Sequence, residues 1–156
     1  MDKETETFIL DLLKSHNILT LATIREDGYP QATTVGYVND GLTIYIATFP
    51  EAQKVKNIGY CNKVSLTVDK DYNKWEKIKG LSMGGIAEVL TNQQEIIKVI
   101  DLLAQKFPQL ADMAAPDPSS IAFLKITPEI VSVLNYEKGF GHTELVNLKS
   151  VANVAK

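Results

Sequence analysis

The residues best suited to chemistry lie between Leu19 and Asn57, where hydroxyl and amide side chains precede a lysine. The run from Leu42 to Thr48 alternates apolar and polar residues, which is the period-2 pattern of a strand with one buried face. The segment EAQKVKN follows, and its helix formers place Lys54 in a second helical turn. A strand with hydroxyl residues that leads into a helix N-terminus with a nearby lysine is suited to holding a phosphate group. Lys54 supplies the cation in this prediction, and Thr48 and Gln53 add neutral donors.

A second lysine in this segment is expected to have a different role. Lys56 lies two residues after Lys54, which places it about 200° away around the helix. We therefore interpret Lys56 as a solvated charge. A solvated surface position is also the alternative for Lys54.

The strand before this one consists of small and medium-sized residues. Threonine is a good strand former, which accounts for this composition without a ligand. Small residues also let a flat ring approach the backbone, while hydroxyl groups reach its polar edge. The residues in question are Ala32, Thr33, Thr34, Val35 and Gly36.

These residues need a scaffold, and the sequence predicts one made mainly of antiparallel strands. Two Asp-Gly turns, at residues 26–28 and 39–41, separate the first three strands, because glycine supplies the positive φ of tight hairpins. Glycines 84 and 85 inside a strand predict a bulge or a barrel corner. The predicted strands cover residues 18–25, 31–38, 42–48, 63–69, 78–90, 121–126 and 129–136.

Three helices complete this prediction. Residues 5–14 form an amphipathic helix, and His16 at its end is placed to donate to the last carbonyl groups. Residues 51–60 form the helix with Lys54. Asn92 caps the third helix, with Glu95 three residues later, and an apolar stripe follows. The stripe consists of Ile96, Val99, Ile100, Leu103 and Phe107. The Pro-rich stretch at residues 111–120 is the candidate flexible segment.

Composition excludes several classes of protein. The 156 residues fit one domain, residues 1–156, with a sizeable core. A net charge of −3 is unlike that of a nucleic-acid binder. No apolar run approaches the roughly 20 residues needed to cross a membrane, the N-terminus is acidic, and the single Cys61 has no intramolecular disulfide partner. We therefore expect a soluble cytoplasmic protein that binds neither nucleic acid nor membrane.

Motifs for unaided catalysis are missing from the sequence. It contains no Ser-His-Asp arrangement, no metal-ligand spacing and no Gly-rich nucleotide loop. A bound cofactor is therefore expected to perform any reaction, with the protein supplying position and electrostatics. No catalytic residue and no metal ligand is assigned.

The order and spacing of these segments resemble a known family. A series of short segments resembles the FMN-binding proteins similar to pyridoxamine 5′-phosphate oxidase. In chain order the segments are LAT, Asp-Gly, Asp-Gly, IAT, K-xx-N, KVSLTVD, GLSMGGIAEVL and VLNYEKGFGHTELV. The resemblance covers roughly residues 10–146. It implies a mainly β fold with helices (α+β), an antiparallel, Greek-key-like split barrel flanked by short helices.

The resemblance also implies FMN as the cofactor and a homodimer with the cofactor at the subunit interface. Strand two then lines the flavin. Backbone N–H groups of strands two and three donate hydrogen bonds near the N5 or N1 side of the flavin and so tune its electron uptake. Lys54 matches the phosphate lysine of the family. The predicted cofactor-binding residues are Thr33, Thr34, Val35, Ile46, Ala47, Thr48, Gln53, Lys54, Trp75, Phe140 and His142.

Three members of this set have alternatives. Trp75 is either a lid against a ring or an anchor for a long hairpin. Phe140, between two glycines, and His142 either form an ordered C-terminal turn or approach, with Tyr136, a flavin held by a second subunit.

The sequence also departs from the family. The arginines expected on strand two and beside the helix lysine are missing, since Arg25 is the only arginine, and the C-terminal Arg-Leu-x-Pro segment is absent. Oxidation of pyridoxamine phosphate is therefore not expected. The sequence predicts an FMN-dependent oxidoreductase that acts on a small-molecule substrate or electron donor. The alternatives are a non-catalytic flavin, haem or deazaflavin binder, or a dimeric interaction module without a cofactor.

Overall fold

Eight strands and three helices form the fold in a computed structural model that describes residues 1–112 and 120–149. In chain order the elements are α1 (Lys3–Ser15), β1 (Ile18–Ile24), β2 (Pro30–Gly36), β3 (Val38–Asp40), β4 (Thr43–Thr48), α2 (Gln53–Tyr60), β5 (Lys63–Val68), β6 (Lys79–Val89), α3 (Gln93–Lys106), β7 (Ala122–Asn135) and β8 (Thr143–Asn147). Short 3₁₀ turns occupy Trp75–Lys77, Pro108–Asp112 and Tyr136–Lys138. The Pro-rich candidate flexible segment falls mainly on residues 113–119, outside the described residues.

The strands form one antiparallel sheet in the order β2-β1-β5-β6-β7-β4-β3, with β8 also paired to β7. The sheet curls into a half-barrel, and β2 and β4 approach each other although five strand pairings separate them. The mainly β, split-barrel prediction is therefore confirmed. Both Asp-Gly turns are present, with φ of 85° at Gly28 and 56° at Gly41.

Two of the predicted strand boundaries are wrong. The runs at residues 121–126 and 129–136 form the single strand β7, since Pro128 does not interrupt it. Gly84 pairs with Ile130 and Gly85 with Pro128, so Glu129 is an extra residue at a bulge. The bulge absorbs the proline, which lacks a backbone N–H for the ladder. The second strand also ends earlier than predicted, because Val38 begins β3 and pairs with Tyr45.

The main core lies inside the curl, where α1 packs its apolar stripe against the sheet. Ile9 and Leu13 have no exposed surface there. Three side chains close the end of α1, and His16 is the one that its position in the sequence predicted. His16 Nδ1 lies 2.8 Å from the Leu12 carbonyl oxygen, and Tyr37 Oη donates to the Leu13 carbonyl at 2.7 Å. Lys106 Nζ donates to the same Leu13 oxygen at 3.2 Å.

A smaller core lies on the outer side of the sheet, under α3. Asn92 caps this helix as predicted, accepting from the Glu95 N–H at 3.1 Å. Val99 is completely buried, whereas Ile100, predicted in the same stripe, is 45% exposed. Glu95 accepts from Tyr45 Oη of β4 and from Lys125 Nζ of β7, both at 2.9 Å. Helix α3 therefore covers the outer side of β3, β4 and the start of β7.

Among the described residues, no helix is long and apolar enough to span a membrane. Within the same ranges, no group of three or more His, Cys, Asp or Glu side chains is arranged to hold a metal ion.

Candidate functional site

The strongest candidate site lies where β4 ends and α2 begins. Lys54 Nζ donates to Thr48 Oγ1 at 3.4 Å, and both side chains are half-buried. Because the helix begins at Gln53, two residues later than predicted, Lys54 lies in its first turn. The lysine and the threonine are thus adjacent, as a phosphate site requires.

The start of α2 has donors available for an anion. Its N-cap residue is Ala52, which has no side chain that could accept from the first-turn N–H groups. The Val55 N–H donates to the Ala52 carbonyl oxygen at 2.9 Å, which leaves the N–H groups of Gln53 and Lys54 for a ligand. Such N–H groups, together with a nearby cation, favour an anionic ligand at a helix N-terminus. Lys56 is exposed and lies 3.7 Å from the Glu51 carboxylate, which agrees with its interpretation as a solvated charge.

A buried asparagine holds this helix against the sheet. Asn57 is 1% exposed and accepts from Gln53 Nε2 at 2.8 Å. Its own Nδ2 donates to Thr23 Oγ1 of β1 and to Gln31 Oε1 of β2, both at 2.9 Å. Asn57 therefore fixes the start of α2, with Lys54 and Gln53, relative to the β1–β2 hairpin. Sequence analysis used Asn57 only as the end of a motif; the available signal was a poor helix former inside a short helix.

The predicted residues of β2 and β4 lie on different sides of the sheet. Thr34 is exposed on the outer side, whereas Thr33 and Val35 face inward, and Val35 packs against the main core. The Ile46 side chain is completely buried in that core, so only its backbone is available to a ligand. Ala47 is exposed.

The outer side of the sheet next to Thr34 carries no charge over two complete cross-strand rows, which we name the uncharged face. One row passes through Thr34, Thr20, Thr67, Ser82, Ser132 and Leu145, and the next through Ala32, Ala22, Ser65, Gly84, Ile130 and Asn147. Leu145 is 69% exposed, and no described element packs over this face as α3 does over β4. Sequence analysis did not identify it, although its alternating small residues were a signal.

The other predicted residues lie at the opposite end of the sheet. The Trp75 and Phe140 rings stack with centroids 6.0 Å apart and an interplanar angle of 5°, and the Tyr136 ring lies 5.1 Å from Phe140. We call these three rings the aromatic ledge. The exposed His142 follows it in the chain and lines a cavity of about 60 Å³ against α1. Trp75 lies just before β6, beyond the end of β5, whereas the helix that carries Lys54 leads into the start of β5. Within one chain, the two groups of predicted residues are therefore apart.

One carboxylate joins the two segments that carry the aromatic ledge. Glu137 Oε2 lies 2.7 Å from Lys79 Nζ, and Glu137 Oε1 lies 2.9 Å from Lys77 Nζ. Hydrogen bonds from Lys79 and Lys77 lower the pKa of Glu137 to about 2. Because the folded-state pKa is below the ordinary value, the contribution of Glu137 is present above pH 4.5 and is lost as the pH falls toward 2.

Fluorescence of Trp75, the only tryptophan, tests this connection. We expect its emission to stay constant from about pH 7 to pH 4 and to change only as the pH falls further. In Glu137→Gln the emission should already differ at neutral pH. Glu4→Gln, which removes a more exposed carboxylate paired with Lys138, is the matched control and should behave like the wild type. An emission change centred near the ordinary glutamate pKa would contradict the assignment.

Comparisons with known proteins agree with this architecture. A family model described as Pyridoxamine 5′-phosphate oxidase matches residues 5–135. HutZ, the haem storage protein from Vibrio cholerae, is 19% identical with a TM-score of 0.67, covering 80% of this chain and 89% of that chain. ChuZ from Campylobacter jejuni is 15% identical with a TM-score of 0.78, covering 96% of this chain and 61% of that chain.

A third solved structure is a Clostridium acetobutylicum protein related to general stress protein 26, of the pyridoxinephosphate oxidase family. It is 19% identical with a TM-score of 0.72, and the match covers 97% of this chain and 99% of that chain. A search of curated proteins gave no match. At these identities the solved structures establish the fold alone.

Proposed function

Because this chain belongs to the pyridoxamine 5′-phosphate oxidase family, we propose that it is a homodimeric FMN-dependent oxidoreductase. The observation that carries the proposal is the adjacency of Lys54 and Thr48 at an N-terminus of α2 without a capping side chain. A phosphate near −2 charge requires a cation and several N–H or O–H donors, and this arrangement has both kinds. The residues present therefore fit the phosphate of FMN.

The chain's own residues would bind and orient the cofactor. Lys54, Thr48 and the backbone N–H groups of Gln53 and Lys54 would hold the phosphate, and the Gln53 side chain would add an amide donor. The small outer residues of β2, which are Ala32, Thr34 and Gly36, leave space for a flat ring to approach the strand. FMN, when bound, supplies the electron transfer to or from a small-molecule substrate or electron donor.

The uncharged face supports the homodimer in this proposal. A flat surface of uncharged side chains suits a second copy of the same surface, because neither copy has to desolvate a charge. In an isologous pair, both subunits contribute the same surface. If the two-fold axis lies in the interface and perpendicular to the strands, the strands of the two subunits run in opposite directions. One end of the sheet in one subunit then faces the other end of the sheet in its partner. The aromatic ledge and His142 of one subunit would then lie toward the Lys54 end of its partner. This arrangement would unite predicted residues that lie apart in one chain.

An absorption titration tests the proposal directly. Purified protein, freed of small molecules, is titrated with FMN and, in parallel, with riboflavin. We expect the visible bands of oxidised flavin to sharpen on binding, with FMN binding more tightly than riboflavin because only FMN carries the phosphate. Equal binding of both, or no binding of either, would contradict the proposal.

Haem binding is the second candidate, and His142 favours it. Of the two histidines in the sequence, His142 is exposed beside the aromatic ledge, whereas His16 is buried with Nδ1 against Leu12. HutZ and other solved neighbours of this fold are described as haem proteins. Titration with haemin separates the candidates. A haem site would lose its Soret shift in His142→Ala and keep it in Lys54→Ala, whereas under the FMN proposal Lys54→Ala impairs FMN binding.

A further inference from the structure

The cavity beside His142 lies between α1 and the end of β7, at the end of the sheet opposite to the proposed phosphate site. Its volume is about 60 Å³, and Phe8 of α1 and Val133 of β7 supply apolar walls. A water molecule occupies about 30 Å³ in the liquid, so a cavity of this size takes a ligand of only a few heavy atoms.

One wall of this cavity carries a buried hydrogen-bond donor. Asn135 is 7% exposed, and its amide oxygen accepts from the Glu137 N–H at 3.1 Å. In the part of the chain that the structure describes, the Asn135 amide nitrogen has no partner, although it can donate two hydrogen bonds. Because buried polar groups normally have partners, this nitrogen requires an acceptor in the cavity. Lys138, which also lines the cavity, adds a cation.

A carboxylate in the same cavity calls for the opposite chemistry. Glu144 Oε1 accepts from Thr5 Oγ1 at 3.3 Å, and the Thr5 side chain is itself buried. Glu144 forms no ion pair within the described ranges, so its second oxygen is available to a cation. The other lining carboxylate, Glu4, is exposed and already lies 3.4 Å from Lys138 Nζ. The cavity therefore presents an unpaired amide donor and an unneutralised carboxylate together.

We propose that this cavity binds a small amino acid in its zwitterionic form, such as glycine. The ligand carboxylate would accept from Asn135 Nδ2 and Lys138, and the ligand ammonium would donate to Glu144. A simple anion would meet the Glu144 charge, and a simple cation would leave the Asn135 donor unpaired, so each fits less well. The segment from Asn135 to His142 also carries Tyr136 and Phe140, so an occupant would tie the aromatic ledge to α1.

An amide NMR titration of the purified protein with glycine tests this assignment. We expect saturable shifts of the Asn135 side-chain NH₂ resonances and of backbone resonances around the cavity. Acetate and methylammonium, which each carry one of the two charged groups, should bind about tenfold more weakly or less.

Two conservative variants separate a ligand contact from a structural effect. Asn135→Asp keeps the oxygen that accepts from the Glu137 N–H but loses the donor, and Glu144→Gln keeps an acceptor for Thr5 but loses the charge. Each should weaken glycine binding about tenfold, measured on the backbone resonances. Glu88→Gln, at the other end of β6, is the matched control and should bind glycine like the wild type.

Other outcomes overturn the assignment. Acetate binding as tightly as glycine would indicate an anion site, and methylammonium binding as tightly would indicate a cation site. Shifts that do not saturate, or unchanged glycine affinity in both variants, would show that no amino acid binds here. The inference does not depend on the proposed function, because an FMN titration of the same sample reports on the phosphate site alone.

Discussion

Lys54→Ala is expected to weaken FMN binding about ten- to a hundredfold, because a hydrogen bond to a charged group contributes roughly 1.5–3 kcal/mol. Lys54 is the cation adjacent to Thr48 and to the N-terminus of α2, where no side-chain cap competes for the anion. The side chain is half-buried, so water replaces its contact with the phosphate incompletely. Equilibrium titration of cofactor-free protein with FMN measures the change.

Riboflavin and Lys56→Ala separate a phosphate contact from a general effect on the protein. Riboflavin lacks the phosphate, so its affinity should be the same in wild type and in Lys54→Ala. Lys56→Ala removes the same charge from the same helix but from a side chain beside Glu51, and its FMN affinity should change less than twofold. Full FMN affinity in Lys54→Ala, or an equal loss of riboflavin affinity, would show that the phosphate does not lie here.

Local patterns predicted the adjacency of Lys54 and Thr48 because the two residues are close in sequence. Six positions separate Thr48 from Lys54, so the turn from β4 into α2 brings them together whatever the rest of the chain does. The period-2 rule also places Thr33 and Thr34 on opposite sides of β2, as observed. The same rule shows that the side chains of Thr33 and Thr34 cannot both contact one ligand on one side of the sheet, and it could have been applied to the sequence.

Contacts between distant residues were beyond the sequence patterns. Asn57 bonds to Thr23 and Gln31, which precede it by 34 and 26 residues. The stacking of Trp75 on Phe140 depends on both flanking segments meeting at one end of the β6–β7 pair. The uncharged face likewise exists only after strand order and register align uncharged residues from six strands. Each of these features is a property of the sheet topology, which local periodicity does not specify.

Gly85→Ala is expected to lower the thermal midpoint of the ligand-free protein by about 3–9 °C, from an overpacking cost of roughly 1–3 kcal/mol. A Cβ atom at position 85 would lie 2.5 Å from the Thr127 carbonyl oxygen and 2.9 Å from Pro128 Cα. Both are backbone atoms, so no side-chain rotation relieves the contact. The strain would fall on the bulge where β6 and β7 change register. Thermal unfolding followed by circular dichroism measures the loss.

Gly59→Ala is the matched control, with an expected effect of opposite sign. Gly59 lies in α2, where an added Cβ meets nothing within 4 Å. Alanine in a helix is favoured over glycine by roughly 0.5–1 kcal/mol, so the thermal midpoint should rise slightly. The same methyl group would then destabilise one position and stabilise another, which attributes the loss at Gly85 to the close approach of β7. A Gly85→Ala protein as stable as Gly59→Ala would mean that the bulge yields easily, and that Gly85 is not needed for the close pairing of β6 with Pro128.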